Sequence, residues 1–174
     1  VIALFRDIVL RSQAALEEGA NPIGHIIPFL LAKESVQRPS VMEVVFYEAG
    51  IRYRYGLEIY DEQIQAEWLF YMPTSRETLL FNREHDSVEF NKTGFAEAAS
   101  FVKDGKILQT RNNVPFISVL ASHNGAHAHN VIRWVNRLAI ISGTEEIGYM
   151  GFTIELMKKD AAFKAWLLDV LQHF

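Results

Sequence analysis

The sequence predicts an α+β fold: a helix leads into an antiparallel β-meander of about five strands, and further helices follow. Three observations carry this. Val1, Leu4, Phe5 and Ile8 recur at helical spacing at one end, and Phe163, Trp166, Leu167, Val170, Leu171 and Phe174 do so at the other. Between them Ile51, Tyr53, Tyr55, Leu57 and Ile59 alternate with Arg52, Arg54, Gly56, Glu58 and Tyr60, the period of a half-buried strand. Ala49-Gly50 and Asp61-Glu62 separate neighbouring runs, and links so short join antiparallel strands only.

Taken in order, the spacing predicts a first helix from Val1 to about Glu18, stopped by Gly19 ahead of Asn21-Pro22. Residues 19–40 hold three prolines and read as an irregular connection. Val41–Glu48 and the Ile51 run form the first two strands. Ile64, Ala66, Trp68, Phe70 and Met72 repeat the alternation, and Arg76–Arg83 and Ser87–Asn91 supply two more strands. Thr93 is placed to cap a helix carrying Phe95, Ala98, Ala99 and Val102, ending near Asp104-Gly105. Pro115 suits the first turn of the next helix, which Asn124-Gly125 breaks or kinks. Val131, Trp134, Val135 and Leu138 continue on one face towards a stop at Gly143, and the last helix follows Asp160. This divides the chain into 1–40, 41–92 and 93–174. Neither terminal helix carries a cap at its outer end, so the expectation is an excerpt from a longer chain.

Composition narrows the chemistry. Of 174 residues, 49% are apolar and 22% charged, enough for a packed core. The net charge of −4 argues against a basic nucleic-acid surface over the whole chain. The absence of cysteine excludes disulfides, thiolate metal sites and a thiol nucleophile. No apolar run reaches the ~18 residues of a membrane span, no leader pattern is read in the opening residues, and a cytoplasmic location without a membrane partner is expected.

Several constellations bear on chemistry. Gly19 to Ile26 has the glycine spacing of a phosphate-binding loop, but His25 and Ile26 stand where lysine and a hydroxyl are needed, so a chain turn is the better reading. His123 and His127, four apart, share a helical face and could chelate a metal; His129 lies about 200° round from His127 and joins only across a break. An exposed histidine patch is the plainer interpretation. Arg52, Arg54, Arg76 and Arg83 could meet phosphate or carboxylate, but fit the solvated face of the meander opposite Glu58 and Glu67. Among Glu43, Glu58, Glu67 and Glu77 the spacing pairs no two for acid–base work. Ser118 and Ser122 lack a nucleophile elbow, and Trp68, Trp134 and Trp166 read as core.

The stretches Phe5-Arg6-Asp7-Ile8-Val9-Leu10, Ile27-Pro28-Phe29-Leu30-Leu31, Arg52-Tyr53-Arg54-Tyr55-Gly56-Leu57-Glu58, Glu67-Trp68-Leu69-Phe70-Tyr71, Arg76-Glu77-Thr78-Leu79-Leu80-Phe81 and Phe116-Ile117-Ser118-Val119-Leu120-Ala121 occur in an order that resembles bacterial ATPases of ABC/SMC type, including AAA-family and abortive-phage-infection ATP-binding proteins. The likeness covers most of the chain, more loosely after Ala121. It implies the part of an ABC-type P-loop ATPase head between the phosphate-binding loop and the signature motif: the end of the P-loop helix, the antiparallel β subdomain and the start of the helical subdomain. It implies ATP and Mg2+ as cofactors of the full-length protein only, a homodimer of heads, a role in anti-phage defence, and an effector protein or nucleic acid as partner. A glutamine loop belongs where Ser122, His123 and Asn124 stand. Serine is shorter than glutamine, so His123 or Asn124 would substitute in sensing nucleotide. Two other classes remain: a non-enzymatic protein-interaction module using the Arg- and Tyr-rich sheet face, and a metal-dependent hydrolase using His123, His127 and His129.

Overall fold

Helix α1 (Ile2–Glu17) and the first strand β1 (Ser40–Glu48) open the fold of this computed structural model, which describes residues 1–17, 21, 23–24, 26, 38–108, 110–140 and 147–173. Most of the predicted 19–40 connection and the Gly143 stop lie outside the described residues. Strands β2 (Ile51–Tyr60), β3 (Gln63–Met72), β4 (Thr78–Glu84) and β5 (Ser87–Phe90) continue the meander. Two short strands, β6 (Val102–Lys103) and β7 (Lys106–Ile107), extend it to an antiparallel seven-stranded sheet in the order β1-β2-β3-β4-β5-β7-β6. Helices α2 (Phe116–Ser122) and α3 (Ala126–Asn136) follow.

The sheet exceeds the expected five strands because the helix predicted from Thr93 does not form. The Asn91 side chain accepts the N–H groups of Thr93 and Gly94 at 3.1 and 2.8 Å, turning the chain before Thr93 can cap anything. A single 3-10 segment, Ala96–Phe101, results. Val102, predicted helical, starts β6, and Asp104-Gly105 form the turn to β7 with φ of 51° and 75°.

One face of the sheet carries the core. Met42, Phe46, Tyr53, Tyr55, Leu57, Ile59, Ile64, Leu69, Leu80, Phe81 and Val88 are buried there with Phe5, Ile8 and Val9 of α1, Phe116, Ile117 and Leu120 of α2, and Ala128, Val131 and Val135 of α3. Trp134 stacks on Phe46 at 4.3 Å between ring centroids, and Phe5 meets Tyr55 at 5.9 Å. Buried Glu48 at the end of β1 is held by Arg133 of α3 and by Arg137 just past its end.

A β-bulge decides which side chains reach this core. Ile59 pairs with Ile64 and Glu58 with Ala66, so Gln65 is an extra residue in β3. One inserted residue reverses the faces beyond it. Leu69 and Glu67 turn inward, and Ala66, Trp68, Phe70 and Met72 turn to the opposite, open face. Trp68 therefore departs from the expected core placement and is half-buried on the open face; Trp134 packs against the core as expected, and Trp166 is exposed. On the open face the Trp68 indole covers Gly56, where a Cβ would sit 2.3 Å from the ring. Its Nε1 donates to Glu43 Oε2 at 2.7 Å.

Residues 139–174 form a separate unit, with α4 (Ile147–Lys159) and α5 (Ala161–Gln172) joined at Asp160. The last helix follows Asp160, as the sequence predicts, and the Asp160 carboxylate caps it by accepting from Phe163 N–H at 2.9 Å. Helix α4 was not anticipated. Met150, Phe152, Ile154, Trp166, Leu168 and Leu171 are exposed on this hairpin. No helix among the described residues is long and apolar enough to cross a membrane.

Gly56→Ala forces the Trp68 indole off its seat and breaks its bond to Glu43. A loss of about 1–3 kcal/mol in urea unfolding is expected, with a red-shifted tryptophan emission. Unchanged stability and emission would show that the indole is not held there.

Candidate functional site

The candidate site lies where the sheet passes into α2 and α3. Glu67 and Arg83, expected on the wet face, are instead buried at 0% and 1% exposure. The Gln65 bulge turns Glu67 inward. Arg83 Nη1 reaches Glu67 Oε2 at 3.4 Å and the Val114 carbonyl at 2.8 Å, and its Nε donates to the His85 carbonyl at 2.7 Å. Tyr55 Oη donates to Glu67 Oε1 at 3.1 Å. The first two amides of α2, Phe116 N–H and Ile117 N–H, donate to Glu67 at 2.6 and 3.0 Å. Burial pushes the Glu67 carboxyl above the usual carboxylate range, while Arg83, the two amides and Tyr55 pull it back. The surrounding donors suit an ionised carboxylate. Burial and the adjacent Glu67 push the Tyr55 phenol well up, keeping it a neutral donor.

Helix α2 is tied to α1 by Ser118, whose Oγ donates to the Val9 carbonyl at 2.7 Å. Its other end forms the turn holding Ser122, His123 and Asn124. These three are exposed and contiguous, with Asn124 at φ 65°. Gly125 N–H returns to the Leu120 carbonyl at 3.0 Å. A Cβ at Gly125 would lie 2.8 Å from Glu97 Oε1, so a larger residue would push that carboxylate aside. Ser122 Oγ bonds the Ser118 carbonyl at 2.9 Å and His123 Nδ1 the Val119 carbonyl at 3.0 Å, so both polar ends turn back on their own helix.

Glu97 caps α3 from the 3-10 segment, accepting His127 N–H at 3.0 Å and Ala128 N–H at 2.9 Å. The His127 side chain points into the fold. Its Nδ1 lies 2.9 Å from Tyr53 Oη, which also accepts from Asn130 Nδ2 at 3.0 Å. Which of His127 Nδ1 and Tyr53 Oη donates is set by the ring's tautomer. Tyr71 meets it edge-on at 5.2 Å. Burial lowers the His127 pKa below its ordinary 6.5, against the attraction of Glu97.

The predicted histidine cluster is therefore not one site. His123 lies against Phe101, His127 is inside, and His129 bonds the Gly125 carbonyl. Among the described residues no group of three or more His, Asp or Glu is arranged to hold a metal. On the open sheet face Arg54 makes a two-point pair with Glu77 at 3.1 and 2.7 Å, bonds Glu43 at 3.0 Å and stacks 4.1 Å over Phe70. Those bonds from Arg54 hold the Glu77 carboxyl below its usual range. Sequence reasoning missed Tyr53, Tyr55, Glu97 and Asn130; the one available signal was their polar ends at core-facing or helix-start positions. The chain matches no family model, no curated protein and no solved structure.

Two outcomes are expected. Arg83→Leu leaves the Glu67 carboxylate buried without its cation and costs about 3–5 kcal/mol in urea unfolding. A loss below ~1 kcal/mol would show the pair to be solvated. The second concerns pH. The His127 pKa is depressed in the fold, so on acidification the unfolded chain takes up this proton first. The stability of the neutral ring is complete above pH 6.5 and is lost as pH falls through the folded value. Histidine NMR should give His127 a midpoint below 6.5, and His127→Gln should lessen the stability loss between pH 7.5 and 5. A midpoint above 6.5 would overturn this.

Proposed function

We propose that this chain is the antiparallel β and helical part of an ABC/SMC-type ATPase head, working in prokaryotic defence against phage. The observation that carries the reading is the path from α1 through the meander to α2, in the order of the stretches that resemble that family. Glu67 supports it by joining sheet and helix at the point where the family passes from β to helical subdomain. In this reading ATP and Mg2+ are held by the full-length protein. Ser122, His123 and Asn124 lie in the turn between α2 and α3, which this reading takes as part of the coupling joint. Two heads pair, and an effector protein or nucleic acid responds. A second reading, a protein-interaction module, draws support from exposed Val41, Val45 and Tyr47 on the open sheet face.

The test is Mg-ATP titration and turnover on the full-length protein. Micromolar binding and measurable hydrolysis are expected. Asn124→Ala should lower turnover about tenfold, the kinetic equivalent of ~1.4 kcal/mol, without unfolding. A full-length protein that binds no ATP would sink the ATPase reading, and unchanged turnover in Asn124→Ala would remove the joint from it.

A further inference from the structure

We propose that the outer edge of β1 pairs antiparallel with the same strand of a second copy, joining two sheets into one. This interface is independent of the ATPase reading.

The backbone supplies the first argument. β1 is the first strand in the sheet order and pairs with β2 along its whole length, from Ser40 with Ile59 to Glu48 with Ile51. The Ala49-Gly50 turn, with φ of 52° and 75°, has the form of a two-residue hairpin turn, whose flanking residues Glu48 and Ile51 exchange hydrogen bonds. Alternation then gives β2 the amides and carbonyls of Glu48, Phe46, Val44 and Met42. Those of Val41, Glu43, Val45 and Tyr47 point outward, and among the described residues none is paired. The devices that blunt natural edges are sparse: no lysine, proline or bulge interrupts β1.

Side chains supply the second argument and choose the partner. Val41, Val45 and Tyr47 project from the same alternate positions at 58%, 48% and 68% exposure. A twofold axis at Val44 sets Val41 against Tyr47 and Glu43 against Val45, each in both directions. All four outward-facing residues then meet outward-facing residues, so every free amide and carbonyl gains a partner. No like charges oppose one another, because the only charge among the four, Glu43, faces Val45 and is already neutralised by Arg54. A shift of two residues along the strand breaks this set. The strand is thus complementary to itself in one register, as a closed symmetric dimer requires.

The chain contains no cysteine, which permits a register-specific test in the full-length protein. In this pairing the two Val44 Cα atoms are about 4.5 Å apart, within disulfide reach. The two Tyr47 Cα atoms are about 20 Å apart, at ~3.4 Å per residue. Val44→Cys should therefore form a covalent dimer under mild oxidation, and Tyr47→Cys should not. Sedimentation should show a dimer for the unmodified protein, with Val45→Lys weakening it at least tenfold at unchanged circular dichroism. A monomer at all concentrations overturns the proposal, including one whose Val41 to Tyr47 amides exchange slowly because another segment holds the edge. Equal cross-linking of Val44→Cys and Tyr47→Cys overturns it as well.

Discussion

A single buried carboxylate sets the relation between the sheet and the helices that follow it. Glu67 binds Arg83 from β4, Tyr55 from β2 and the first two amides of α2. Helix α2 has seven residues, too few to be stable by its own hydrogen bonds. Its place is fixed from outside, by Glu67 at its start and by Ser118 bonded to α1 at Val9. Arg83 extends the same control to the preceding loop through the Val114 carbonyl. An apolar residue at 67 would leave Arg83 buried without a counter-charge and two helix amides without acceptors, so the cost would spread over several elements.

The sequence showed the class of fold and the long strands, because their alternation is strong and their turns are short. The alternation in β2 correctly placed Tyr53, Tyr55, Leu57 and Ile59 inside. The same reasoning failed one strand later. Ile64, Ala66, Trp68, Phe70 and Met72 form a continuous apolar series, yet only Ile64 of these is in the core, since Gln65 bulges and exchanges the faces. A bulge is set by pairing with the neighbouring strand and leaves no periodic mark on its own. That one residue hid the Glu67–Arg83 pair and made Trp68 look like core.

The candidate site was legible in part. Ser122, His123 and Asn124 were singled out by the resemblance; the residues themselves signalled only a break at Asn124-Gly125, and the structure puts the break there. What surrounds them was not legible, because their neighbours come from distant segments. Glu97 caps α3 across 30 residues, and Tyr53 reaches His127 across 74. The helical spacing of His123 and His127 promised a shared face, but the break at Asn124-Gly125 puts them on different helices. His127 then serves α3 as an anchor: its ring joins the helix to β2 through Tyr53.

The arginines of the sheet bear on what partners this surface suits. A phosphate backbone is held by cations free to release their counterions. Arg54 is bound to Glu77 and Glu43 and stacked on Phe70, Arg52 lies 4.0 Å from Glu77, and Arg83 is buried with Glu67. A nucleic acid on the open face would have to displace these carboxylates and meet a chain of net charge −4. A protein surface makes no such demand. It can leave the ion pairs in place and cover the apolar side chains of Val41, Val45 and Tyr47, which lie along the edge where, among the described residues, backbone groups are also unpaired. The pairing that closes the charges inward is what leaves the apolar edge as the sheet's most available contact.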